Sequence, residues 1–181
     1  SGGAELDYEY LLPYINNFYN DFDFGLKEFV KNSGTLIHSP AFYIIVGYLL
    51  RITENLLFVK VIYLNLSLLL PFLFYLVLKE KYKTKNNTIF YLSLIIFFSP
   101  YFRSSAIWLL GDNLALIFFT LSILFFLKVE NKKNIKYLYL SIISLILCCY
   151  IRYYYCIFYV FYLYFIISNL KKKYLINTLV L

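Results

Sequence analysis

Residues 56–78 read "LLFVKVIYLNLSLLLPFLFYLVL". This run exceeds the roughly 20 predominantly apolar residues that carry a helix across the hydrocarbon of a bilayer. Apolar stretches of that length mark transmembrane segments, not soluble cores. The rest of the chain has the same character. Of its 181 residues 62% are hydrophobic and only 15% are charged, where a soluble domain carries about 25% charged residues. The expected fold class is therefore all-α integral membrane, a single membrane domain over residues 1–181. About five transmembrane helices are expected, with interfacial helices in an external first loop.

Downstream of this span the basic loop "KEKYKTKNNT" (79–88) leads into a short span at 89–102, which ends in "SPYFRSS" (99–105). Residues 106–127 form a second full-length span, followed by the basic loop "KVENKKNIK" (128–136). Residues 137–170 are apolar and tyrosine-rich but broken by Arg152, which divides them into 137–151 and 153–170, and "KKK" (171–173) closes the stretch. Upstream, residues 40–52 are apolar but too short to span and predict an interfacial helix. Residues 1–39 form an acidic external loop, with Glu5, Asp7, Glu9, Asp21, Asp23 and Glu28 against Lys27 and Lys31.

The net charge of +7 is confined to short lysine clusters between apolar runs. That is the pattern of cytoplasmic membrane loops and not of a nucleic-acid-tracking stripe, so no nucleic-acid partner is expected. The positive-inside rule puts the three clusters in the cytoplasm and the acidic segment outside. Parity then makes 56–78 one crossing, the 99–105 turn external, and 137–170 a hairpin bent near an external Arg152. The expected location is a plasma (inner) membrane, multi-pass, with the active site on the external or periplasmic face. The chain holds no methionine, opens on "SGGAELDYEY" and closes on the apolar "LINTLVL". The opening lacks the basic start and apolar middle of a signal peptide. Together these predict a fragment without a first membrane helix and several later ones.

Asp112, in "IWLLGDNLALIFF" (107–119), is the only acidic residue inside an expected span. A charge at a helix centre costs roughly 2.5–3.5 kcal/mol on insertion scales, so such groups face a cavity or a partner. If its helix starts at Ala106, Asp112 lies roughly 9 Å deep at 1.5 Å per residue, within reach of an external water-filled cavity. The flanking Gly111 and Asn113 point to close approach of another backbone or a ligand. Arg51, Arg103 and Arg152 are the only arginines, each at an expected outer boundary. For Arg51 snorkelling to headgroups accounts for the position, whereas Arg103 and Arg152 offer planar forks suited to phosphate. His38, the only histidine, precedes a helix-starting proline, as a local hydrogen-bonding group or a metal- or substrate-facing one. Tyr8, Tyr10, Tyr14, Tyr19 and Tyr43 are candidates for stacking on sugar rings. Cys148, Cys149 and Cys156 lie in one apolar stretch, show no metal-ligand spacing, and read as packing residues. No phosphate-cradling glycine loop, nucleophile elbow or zinc helix motif is present.

The order of "ELDYEY", "HSPAFYIIVGYLLRI", "LFVKVIYLNLSLLL" and "FFSPYFRSSAIWLLGDNLALIFF" resembles the GT-C superfamily of polytopic glycosyltransferases. That group includes the family 39 protein mannosyltransferases and the lipid A aminoarabinose transferases. The resemblance covers roughly residues 5–127, with "YIRYYY" a further extension. It implies transfer of a sugar from a polyprenyl-phosphate-linked donor to a hydroxyl of a lipid, glycan or protein acceptor, with inversion. It makes Asp7 the general base, with Glu9 a competing candidate, and Asp112 the second external carboxylate. Glu9, Arg103, Arg152 and Tyr43 are the expected substrate-binding residues, the two arginines as the available cations on the external face. A divalent metal ion, held by His38 and Asp112, is also implied, although His-Ser-Pro-Ala stands where some relatives have Glu-x-Pro-Pro. A transporter or flippase of lipid-linked saccharides, with Asp112 and Arg152 as a charge pair in its path, is the alternative.

Overall fold

The acidic segment expected as an external loop is helical. In the computed structural model, which describes residues 2–32, 39–83, 87–132 and 134–169, it forms α1 (Gly2–Asn20) and α2 (Phe22–Lys31). Asp21 separates them by capping α2: its backbone is extended and its carboxylate accepts the Phe24 N–H at 2.7 Å. Such a cap satisfies one of the donors a helix start leaves open. The expected interfacial helix is α3 (Ala41–Thr53). It buries Phe42, Tyr43, Val46, Gly47 and Leu50 against α1 and leaves Ile45, Tyr48 and Ile52 exposed. Gly47 is needed for this approach, because a Cβ there would stand 2.9 Å from the Phe18 Cβ and 3.1 Å from the Ile15 carbonyl.

The 56–78 run becomes α4 (Leu56–Ser67) and α5 (Leu69–Tyr82). Asn55 caps α4 by accepting the Leu57 and Phe58 N–H groups at 2.9 and 3.2 Å. The turn at Leu68 falls just before Pro71, which has no N–H to give to the Ser67 carbonyl one turn back. The two pieces together make an apolar stretch of 27 residues, Leu56–Tyr82.

The next expected span, 89–102, is broken. Helix α6 (Asn87–Leu94) tightens into a 3₁₀ segment (Ile95–Phe98), and the chain bends by 64° into α7 (Pro100–Ile107). The sequence supplies the reason: a residue before proline is pushed to extended backbone, and Ser99 has φ −67° and ψ 120°. Its hydroxyl then caps α7 by accepting the Phe102 N–H at 3.3 Å. This shifts the following span from the expected 106–127 to α8 (Gly111–Lys132). Ala106 belongs to α7, and a turn with Leu109 at φ 55° intervenes. Asp112 consequently lies in the first turn of α8 and not one and a half turns deep.

Helix α9 (Ile135–Ile151) starts on Asn134, which accepts the Lys136 N–H at 3.0 Å, and stops at Arg152. A 3₁₀ segment (Tyr153–Phe158) and α10 (Tyr159–Asn169) follow. All regular structure among the described residues is helical. Two helices are long and apolar enough to cross a membrane, Leu56–Tyr82 and Gly111–Lys132, or three if the bent pair is one span. Ala41–Thr53, Ile135–Ile151 and Tyr153–Ser168 are apolar but shorter.

Side-chain contacts set the directions of these helices. Tyr63 bonds to the Leu110 carbonyl at one end, and the Asn131 amide reaches Glu80 Oε1 at 2.8 Å at the other, so α4–α5 and α8 run parallel. Helix α9 returns along α8, and α10 turns back again, with Leu138, Val129 and Ile166 in one buried cluster. The hairpin expected over 137–170 is therefore present, bent at Arg152. Lys79, Lys81, Lys128, Lys132 and Lys136 sit at the Glu80–Asn131 end, and Asp112 and Arg152 at the opposite end.

The α8–α9–α10 contact is closed by buried hydroxyls. Ser141 Oγ donates to the Ser122 carbonyl at 2.6 Å and lies 2.6 Å from the Tyr162 hydroxyl, which also meets Ser122 Oγ. Small residues let helix backbones approach within a bilayer, and interhelical hydrogen bonds there average about 0.6 kcal/mol. Tyr162→Phe should therefore lower stability by about 0.5–1.5 kcal/mol. Ser141→Leu, which wedges α8 from α9, should cost about 1–3 kcal/mol. Thermal unfolding in detergent micelles checks the order, and equal losses would contradict it.

Candidate functional site

The site grows from the start of α8. Gly111, Asp112 and Asn113 form its first turn, where N–H groups without a partner inside the helix carry about half a positive charge. A carboxylate is favoured there. Gly111 permits the close packing beneath it: a Cβ would meet the Phe42 ring at 3.2 Å and Ile151 Cγ2 at 3.3 Å. Asn113 is fully buried, its amide donating to the Phe102 carbonyl at 2.9 Å and to Ser67 Oγ at 3.2 Å. Its N–H reaches Ser105 Oγ at 3.2 Å. These bonds pin the turn from α7 into α8.

Asp112 accepts a hydrogen bond from Arg152, with Nη2 to Oδ2 at 2.8 Å. Arg152 caps α9 in extended backbone, its N–H on the Cys148 carbonyl at 2.9 Å. The pair is unevenly buried, the arginine side chain 8% and the aspartate 39% exposed. The guanidinium therefore forms the floor, and the carboxylate faces outward from it. Across from them stands α1. Asp7, Tyr10, Leu11, Leu110, Asp112 and Arg152 line one cleft of about 180 Å³.

Three residues expected to share a site, Asp7, Asp112 and Arg152, thus meet in one cleft although up to 145 positions separate them. The others are placed differently. Glu9 is exposed on α1 but about 200° around the helix from Asp7, off the cleft. Arg103 is exposed on α7 and does not line it. Tyr43 is a correction. At 1% exposure its ring packs among Tyr14, Phe29 and Phe42, closed to a stacking sugar. It borders instead a small void of about 10 Å³ beneath Arg152. Burial pushes its hydroxyl up to about 12, with nearby Arg152 working in the opposite direction. His38 lies outside the described residues. Among the described residues no three of His, Cys, Asp and Glu stand together as a metal set. Of the expected pair of ligands, Asp112 receives Arg152 on Oδ2.

A second cavity adjoins the first at Asp112. About 350 Å³ in volume and mainly apolar, it runs between Leu70, Phe74 and Val77 of α5 and Leu116, Thr120 and Ile123 of α8. Ile96, Ser99, Tyr101 and Phe102 wall its other side. One carboxylate therefore borders both a polar cleft and an apolar groove. No protein-family profile, curated protein or solved structure matches this chain.

The arrangement itself has chemical content. An amphiphile whose polar head sits at the Asp112–Arg152 pair can lay its chain in the groove, and a second polar molecule can reach that head past Asp7. Apart from Asp112, none of the residues that line the groove was among the sequence-based candidates. The i, i+4, i+7 spacing of Leu70, Phe74 and Val77 carried a signal, but in an apolar span it looks the same as lipid-facing surface.

Proposed function

We propose that this chain is part of a multi-pass membrane glycosyltransferase that moves a sugar from a polyprenyl-phosphate donor to an acceptor hydroxyl. The observation that carries the reading is the sharing of Asp112 by a polar cleft and an apolar groove. The resemblance in motif order to GT-C enzymes supports it, as does the gathering of lysines at the far end of the bundle, the pattern that the positive-inside rule associates with a cytoplasmic face. The cleft then faces the external side of a plasma membrane, where the two or three long apolar helices and the shorter pairs make up about five crossings.

In this reading the isoprenoid chain occupies the groove, and the donor phosphate lies against Arg152. The acceptor hydroxyl attacks the anomeric carbon as Asp7 takes its proton. The bond from that carbon to the phosphate oxygen breaks, and polyprenyl phosphate leaves with the electron pair. Arg152 stabilises the negative charge that develops on the leaving group, as fixed donors in a water-poor site do. Asp112 fixes the guanidinium. Attack opposite the leaving group inverts the anomeric centre.

A photoreactive isoprenyl-phosphate probe tests the assignment in the full chain, reconstituted in nanodiscs. Cross-links at Phe74, Leu116 or Ile123, competed by unlabelled donor, are expected. Labelling confined to α10 overturns the reading. Release of free polyprenyl phosphate with sugar on an acceptor separates an enzyme from a transporter, which would return the intact lipid-linked sugar on the other leaflet.

A further inference from the structure

Lys60 is the only charged residue in the 56–78 run, and it lies at the cleft end of α4. Its ammonium stands 4.1 Å from the centroid of the Tyr8 ring and 5.4 Å from that of Trp108. The two rings are 6.0 Å apart and inclined at 42°. Both distances fall within the roughly 6 Å over which a cation is held by an aromatic face. The ion pairs among the described residues are Lys31–Glu28 and Arg152–Asp112, so the compensation recorded for the Lys60 charge is aromatic. In a lipid-embedded helix that compensation matters, because a charge there needs a partner or a path to water.

Three elements far apart in sequence meet at this ammonium. Tyr8 directly follows Asp7 on α1, and Trp108 opens the turn that holds Leu110 and leads into Asp112 at the start of α8. Asp7 stands on one wall of the cleft, Leu110 and Asp112 on the other. Lys60 also belongs to a polar face of α4, since Tyr63 and Ser67 follow at three and seven positions. The Tyr63 hydroxyl donates to the Leu110 carbonyl and accepts the Leu114 N–H at 3.3 Å. Ser67 Oγ accepts from the Asn113 amide at 3.2 Å. Tyr63 and Ser67 thus fix the start of α8 alone, whereas Lys60 also grips α1.

We propose that Lys60 is a positioning residue, which sets the width of the cleft by holding the Asp7 wall to the Asp112 wall through Tyr8 and Trp108. Its role is independent of what the cleft binds, so the test needs no activity. It also separates this proposal from the glycosyltransferase reading, since either can fail alone. The ring face of Tyr8 is the working part, because its hydroxyl is buried without a hydrogen-bond partner.

The experiment uses the full chain in nanodiscs. Trp108 is the only tryptophan, so its emission reports this one place, and amide exchange reports the two walls. Lys60→Met should shift Trp108 emission and raise exchange in residues 8–11 and 110–114 by about 2- to 30-fold, the population change that loss of a cation–aromatic contact implies. Lys60→Arg should restore both readouts. Tyr8→Phe should match the parent, and Tyr8→Leu should match Lys60→Met. Parental emission and exchange in Lys60→Met would overturn the proposal. So would a Lys60→Arg protein as loose as Lys60→Met, or a rise spread evenly through α8 and α9, which would mark general loosening.

Discussion

Asp7→Asn is expected to lower sugar transfer by about 10²–10⁴-fold, the usual contribution of a positioned general base. The fall should appear in kcat at saturating donor, because the amide keeps the size of the carboxylate and loses only its ability to take a proton. Stability should be unchanged within about 0.5 kcal/mol, since Asp7 is exposed on the surface of α1. Glu9→Gln is the matched control. It removes the same charge two residues away, but from a side chain about 200° around the helix, and should leave kcat near the parental value. Asp112→Asn should fall between them, because the amide oxygen can still accept the Arg152 hydrogen bond now at 2.8 Å. Rates are to be read with labelled polyprenyl-phosphate sugar and the full chain in proteoliposomes. Full activity in Asp7→Asn, or equal losses in Asp7→Asn and Glu9→Gln, would remove Asp7 from the role of base.

Asp112 and Arg152 were legible because charge in an apolar span is rare enough to be informative, whereas Asp7, one of six carboxylates in residues 1–39, was singled out only by the resemblance in motif order. Asp112 needed a partner, and parity put Arg152 at the same end of the bundle. The hairpin bend at Arg152 followed from the same reasoning. What was not legible depended on local backbone chemistry and on abundance. Ser99-Pro100 read as part of an external turn, yet the extended residue before proline, capped by its own hydroxyl, also begins a helix. That second use moved the start of α8 from Ala106 to Gly111 and brought Asp112 to the helix end. Tyr43 failed for another reason. With 21 tyrosines in the chain, composition cannot separate a ring on a cleft from one beneath it. The pattern of α3 held the clue, since Phe42, Val46 and Leu50 share the buried face on which Tyr43 also lies. Lys60 went unremarked because a lone lysine in a span reads as a snorkelling residue, and only the geometry put two aromatic rings over it.

The ion pair beneath the cleft should be asymmetric in its energetics. Asp112→Ala leaves a guanidinium that is only 8% exposed without its carboxylate. Removing one partner from a buried pair costs about 3–5 kcal/mol, and the 39% exposure of Asp112 puts this case at the lower end, about 3 kcal/mol. Arg152→Met is the gentler change. It replaces the guanidinium with an apolar chain that suits a buried position, and the remaining carboxylate keeps both water and the positive end of α8. That helix end offsets a carboxylate by roughly 0.3–1 kcal/mol, so a net loss of about 1 kcal/mol is expected. The double variant Asp112→Ala with Arg152→Met should then be more stable than Asp112→Ala alone, because no charge remains buried. Chemical denaturation in micelles gives the three values and hence the coupling of the pair. If the two single variants lose equal stability, uneven burial does not govern the pair, and Arg152 is held as firmly by the chain around it as by Asp112.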